Sequence, residues 1–254
     1  MTSYVAFCRK EFMENWRTYR LAIMLAVFAA FGLMSPLIAK MLPDLLSGMD
    51  MGGLVVQIPE STAFDSWTQF FKNNGQMGIL VLIIVFCGIT ANEFTKSTLI
   101  PIVTKGMQRR WIILAKISVS VAIWTVSYAV SLAVTWVYTV YFWGNAPLPN
   151  APLAFGSLWL FGVLMITLLI LGGVCLGNIY GALLFSGGAV ILMALVSIAP
   201  KAGKYNPISL AGNVVNLLNG SQPASDFIPA LWICVGLIAV GILASVLIFD
   251  RKQL

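Results

Sequence analysis

The sequence predicts an all-α integral membrane fold: six transmembrane helices preceded by an amphipathic interfacial elbow helix. Three observations carry this. The chain is 59% hydrophobic and only 9% charged, against about 25% charge in ordinary soluble domains. Its long apolar runs lack the alternating pattern of a membrane barrel strand. Its Lys and Arg, which give a net charge of +6, mostly flank those runs as orientation signals do, rather than forming a nucleic-acid footprint.

Residues 1–20 form the first element. Tyr4, Val5, Cys8, Phe12, Trp16 and Tyr19 recur at three- and four-residue spacing, and Lys10, Glu11, Glu14 and Arg17 fall on the opposite side. That pattern predicts a helix lying in the membrane interface, as a plain anchor or also as a partner contact. A leader this long and of such mixed charge predicts no cleaved signal peptide. Residues 21–254 carry the six spans, each needing roughly 20 apolar residues. The first is Leu21–Ile38 and the second is Gly75–Thr90. Between them, Met41–Asn74 reads as an external loop whose Phe64, Trp67, Phe70 and Phe71 form a short interfacial helix. The third span, Trp111–Trp143, is longer than one crossing needs, so an extension or a tilt absorbs the excess. Leu153–Ala199 carries no charge and is long enough for two crossings, with Gly177-Asn178 as the favoured turn. Phe227–Phe249 is the last span.

Charge asymmetry orients the bundle. Arg9, Lys10, Arg17, Arg20, Lys96, Lys105, Arg109, Arg110, Arg251 and Lys252 fall on the side of the N-terminus; Lys40, Lys72, Lys201 and Lys204 fall on the other. The excess predicts cytoplasmic termini. Lys116, just inside the third span, is expected to snorkel back toward the cytoplasm.

Catalytic chemistry is missing from the sequence. There is no His, hence no Ser or Cys charge relay and no zinc-type cluster. No phosphate-binding loop of the Gly-x-x-x-x-Gly-Lys-Ser/Thr type occurs. Cys87, Cys175 and Cys234 lie in apolar runs and Cys8 in the leader, which reads as buried thiols rather than a disulfide framework. No acidic or basic residue is expected at the middle of a span, where ion-coupled carriers keep one.

The most informative stretch is the polar, basic island at about 91–110: Glu93, Lys96, Ser97, Thr98, Lys105, Arg109 and Arg110, followed by Lys116. Together with the six spans and the elbow helix, this loop resembles that of type-2 ABC exporter permeases. That family's loop runs from Glu through Gly-Thr to a basic residue, a Ser-Arg or similar pair, and Lys; Ser97 stands where it usually has Gly. The segments Pro59–Asn74 and Lys204–Leu210 are similar to one branch of the same family. The resemblance implies a bacterial cytoplasmic-membrane permease without a cofactor of its own. ATP and Mg would be held by a separate ATP-binding subunit, present in two copies, beside a second permease chain. It further implies that Glu93, Lys96, Thr98, Lys105, Arg109 and Arg110 serve as the coupling contact to the ATPase. Glu93 would pair with a basic residue there or cap the island's own helix. For Arg109 and Arg110, simple positive-inside anchoring is the alternative.

Ser120, Ser127, Ser131, Thr135 and Thr139 share one face of the third span. Such a stripe either lines a substrate route or fastens helices together. Gly173, Gly177 and Gly181 are spaced for close helix approach. Two other functions remain open on the sequence: an ion-coupled secondary carrier, and a non-transporting scaffold or immunity protein.

Overall fold

Backbone polar groups in lipid must be satisfied within the segment that carries them, which favours helices. The computed structural model describes residues 2–47, 60–95, 108–199 and 203–252. Every regular element among them is helical. Six helices are long and apolar enough to cross a membrane: Arg20–Pro43, Ala63–Ala91, Arg109–Trp143, Ala151–Leu176, Ile179–Ser197 and Ala224–Arg251. The protein is a multi-pass membrane protein. The N-terminal helix Thr2–Arg17 precedes them, and Tyr19, in the left-handed region at φ 60°, turns the chain into the first span.

The amphipathicity of Thr2–Arg17 is real, but its two faces serve opposite neighbours. Val5, Phe12 and Trp16 point away from the protein, with Trp16 65% exposed. Phe7, Glu11 and Asn15 are buried against the bundle. Glu11 and Asn15 of the polar side thus face protein together with Phe7, Tyr4 and Cys8, while Val5, Phe12 and Trp16 are left outward.

The second span differs most from the sequence reading. Asn73-Asn74-Gly75 looks like the end of a loop, yet the helix Ala63–Lys72 runs through a π-helical turn, Asn73–Gly78, into Ile79–Phe86. The asparagines are absorbed by hydrogen bonds. Asn74 Nδ2 donates to Phe70 O at 3.0 Å, Asn74 Oδ1 accepts from Ser131 Oγ at 3.2 Å, and Asn73 Nδ2 donates to Ser35 Oγ at 3.1 Å. Trp67, Phe70 and Phe71 lie within this continuous span rather than in a separate interfacial helix. They are buried against Phe155 of the fourth span, Phe71 stacked on it and Trp67 and Phe70 edge-on.

The charge-free region folds back at Gly177-Asn178. Gly177 adopts φ 70°, a left-handed C-cap whose N–H donates to Gly173 O. Asn178 caps the next helix, its Oδ1 accepting from Gly181 N at 2.6 Å. The fourth span is the heart of the bundle: 72% of its most apolar window is buried, against 17% in the fifth and sixth spans. Small residues admit close neighbours here. The Trp124 indole packs so tightly over Gly162 that an added Cβ would lie 2.4 Å from it.

The hydroxyl stripe of the third span solves a backbone problem in the first. Pro36 lies inside the helix Arg20–Ser47 and has no N–H to give to the carbonyl of Gly32. Thr135 Oγ1 supplies that bond at 3.1 Å. The approach needs Gly32, where a Cβ would come within 2.8 Å of Ser131 O. Thr135→Val keeps the shape and removes the donor. It is expected to cost about 1–2 kcal/mol, seen as unfolding at lower SDS fraction in mixed micelles. Thr135→Ser should lose less, and equal losses in the two variants would contradict this role.

Candidate functional site

The polar residues gather at the end of the bundle that carries the N-terminal helix. Lys116, eight residues into the third span, has no exposed surface. Its Nζ donates to Glu11 Oε1 at 3.0 Å, to Glu11 Oε2 at 3.1 Å and to Ile89 O at 3.0 Å, and lies 2.9 Å from Glu93 Oε2. Lys10 Nζ reaches Glu11 Oε1 at 2.9 Å, Glu93 Oε1 at 2.7 Å and Glu14 Oε2 at 2.7 Å. The snorkelling expected of Lys116 is thus corrected: its ammonium stays inside, because two carboxylates and a carbonyl replace water. Glu93 is likewise buried and paired within its own chain, with Lys10 and Lys116, rather than turned outward to a partner.

Three carboxylates, those of Glu11, Glu14 and Glu93, converge within 4.8 Å of one another. Two lysine ammonium groups already occupy the space between them. Burial alone would lower the pKa of Lys10, but the charges of Glu93 and Glu11 outweigh it and hold the ammonium above the ordinary lysine range. Burial alone would raise Glu14, but its hydrogen bond and charge contact with Lys10 hold it below the usual carboxylate range.

Two further cations tie helix ends together at the same end of the bundle. The last carbonyls of a helix have no intrahelical donors. Arg109 Nη1, at the start of the third span, donates to Phe249 O at 3.0 Å, Asp250 O at 3.1 Å and Lys252 O at 2.6 Å, capping the sixth span. Lys252 Nζ donates to Val174 O at 2.6 Å near the end of the fourth span. The guanidinium of Arg109 is therefore directed at its own chain. Arg110 is exposed, with its Nε donating to Gln108 Oε1 at 2.8 Å. Lys96, Thr98 and Lys105 lie outside the described residues. What the structure fixes is the root of the island at both ends: Glu93 in the ion cluster and Arg109 on the sixth span.

The stripe residues Ser120, Ser127, Ser131 and Thr135 are all buried within the chain. Ser120 donates to Lys116 O, Ser131 to Asn74, and Thr135 to Gly32; Thr139 shares a 2.7 Å hydrogen bond with Ser66. Ser131, Thr135 and Thr139 fasten the third span to the first and second, whereas Ser120 bonds within its own helix and Ser127 Oγ meets no partner among the described residues.

Reading the sequence missed Lys10, Glu11 and Glu14 as site residues, and one signal pointed to them. Lys116 stands between Ile112–Ala115 and Ile117, and a charge in so apolar a run needs an acid from a neighbouring element. The leader helix supplies one from its polar side. No protein-family model matches the chain, and no curated protein matches it.

Lys116→Ala leaves buried carboxylates uncompensated, and about 3–5 kcal/mol of stability should be lost. The double variant Glu11→Gln, Lys116→Met removes charge from both sides and should lose less, by thermal unfolding in detergent. A double variant as damaged as the single would overturn the pairing. Glu14 also predicts an acid dependence. Its folded-state pKa is depressed, so its contribution is present above about pH 4.5 and lost as pH falls through the lowered value. The stability gap between the parent protein and Glu14→Gln should therefore close in acid; a gap that widens would contradict the Lys10 contact.

Proposed function

We propose that the chain is the membrane-spanning permease subunit of an ATP-driven type-2 ABC exporter in a bacterial cytoplasmic membrane, with both termini cytoplasmic. One observation carries the reading. The N-terminal helix, the end of the second span, the starts of the third and the ends of the fourth and sixth are tied into one plate by Lys10, Lys116, Arg109 and Lys252. The island 96–107 is rooted in that plate on both sides. A push on the island then reaches several spans at once, which is what a coupling element must do.

The mechanism follows from what the chain holds. It has no phosphate-binding loop, so a separate subunit binds ATP and Mg. Two such subunits and a second permease chain complete the transporter. Closure of the ATPase pair pushes on the island through Lys96, Thr98, Lys105 and Arg110. Glu93 and Arg109 act behind that surface as the fixed roots that pass the motion on. An ion-coupled carrier is less well supported, because the buried charges sit at one end of the bundle and not at its middle.

The purified chain alone is expected to show no ATPase activity, and activity should appear with a co-purified nucleotide-binding subunit. Flux driven by an ion gradient in ATP-depleted vesicles would defeat the proposal. Engineered cysteines at Ser61 and Ser221 should label from outside intact cells and one at Ser97 should not. Charge reversal at Lys96 and Lys105 should weaken the complex about thirtyfold if those lysines form desolvated pairs with the ATPase, with insertion preserved. A change of less than about 1 kcal/mol would mark them as exposed anchoring charges.

A further inference from the structure

At the opposite end of the bundle, a cavity of about 360 Å³ opens between the second, fourth and fifth spans and the short helices Ser209–Gly212 and Val214–Leu218. That volume lies within the range of small-ligand clefts. Its walls are apolar: Phe71, Ile79, Ile83, Phe161, Val190 and Ile208. Leu80, half exposed, marks the side open to the membrane. The polar side chains lining it are Lys72 and Gln76, four residues apart on one helix and both exposed.

Three facts suggest a shaped site rather than a packing gap. The π-helical turn Asn73–Gly78 runs along the cavity, and such turns re-aim the residues around them, frequently at functional sites. The Lys72 ammonium makes no ion pair or hydrogen bond with any described residue, unlike the lysines of the ion cluster. Its depth also matches a membrane boundary. Lys72 precedes Ala91, the other end of this span, by about 28 Å of helix rise, close to the roughly 30 Å thickness of a hydrocarbon core. Lys72 thus sits at headgroup level, while Ile83 lies near mid-bilayer.

We propose that this cavity binds one acyl chain of an anionic phospholipid, in the leaflet opposite the N-terminal helix, with Lys72 and the Gln76 amide holding the phosphate. A single cation above an otherwise apolar slot matches the charge and shape of an anionic amphiphile. A soluble anion has no use for the apolar walls, and a neutral lipid has none for Lys72. The site does not depend on how transport is energised.

Native mass spectrometry of the full-length chain, purified with any subunit that accompanies it, tests this with phosphatidylglycerol and phosphatidylcholine added in equal amounts. One phosphatidylglycerol should be retained in about fivefold preference. Lys72→Gln should bring that preference close to unity while a lipid of either kind is still carried. Gly212→Trp should abolish retention of both, since nothing lies within 4 Å of a Cβ added at Gly212 and the ring can fill the space. Val215→Trp fills the same cavity from the neighbouring helix and covers the case in which the first variant does not fold. Equal retention of the two lipids by the parent protein, an unchanged preference in Lys72→Gln, or full retention in both filled variants would overturn the site. So would loss of self-association on filling with no lipid ever retained, which would assign the cavity to a second copy of the chain.

Discussion

A lysine with no exposed surface, placed eight residues into the third span, governs the arrangement of one end of this protein. Lys116 cannot stay charged there without anions, and the anions cannot be buried without it. Glu93 comes from the helix Gly88–Thr95 that ends the second span and Glu11 from the N-terminal helix. Their meeting pins a helix that would otherwise float at the interface. Lys10 then bridges Glu11, Glu14 and Glu93 from the wetter side. The N-terminal helix thus turns Glu11 and Asn15 to the protein and leaves Val5, Phe12 and Trp16 outward.

The same constraint, that polar groups away from water need partners inside the protein, runs through the rest of the bundle. Pro36 strips a carbonyl of its donor, and Thr135 provides another. Asn74 bends a span into a π turn and binds Ser131 and Phe70 O in doing so. The exposed carbonyls at the ends of the fourth and sixth spans are met by Lys252 and Arg109. Each of these side chains joins two helices that apolar contact alone would hold less selectively, because lipid tails compete with Leu and Ile for the same surfaces.

Function inherits this division of labour. One end is stiffened by charge and carries the rooted island proposed to meet an ATPase. The other end holds an apolar cavity beside a π turn, topped by Lys72, whose ammonium pairs with no described residue. The fifth and sixth spans, little buried within the chain, leave their surfaces for lipid or, in the proposed transporter, for a second copy. In the proposed transporter, mechanical input and the proposed lipid contact would lie at opposite ends of the bundle.

Much of the fold was legible without coordinates. Length and hydropathy alone locate six crossings, since a bilayer imposes one length on every span. The turn at Gly177-Asn178 was legible because a left-handed C-cap followed by an N-cap needs those residue types. The start of the second span was not: Asn-Asn-Gly reads as a breaker until Ser131 and Ser35 are beside it. The candidate site was half legible. Glu93, Arg109 and Arg110 could be singled out from charge in a loop, but their directions could not. Local pattern states only that Lys116 needs an acid and Arg109 an acceptor. Which acid and which carbonyl depends on helices far apart in sequence being brought together. The amino-acid sequence by itself determined that the chain is helical and membrane-spanning, because those properties follow from local composition and the thickness of lipid. Only the tertiary structure decided that its buried charges face one another, because pairing depends on distances between helices that local sequence does not encode.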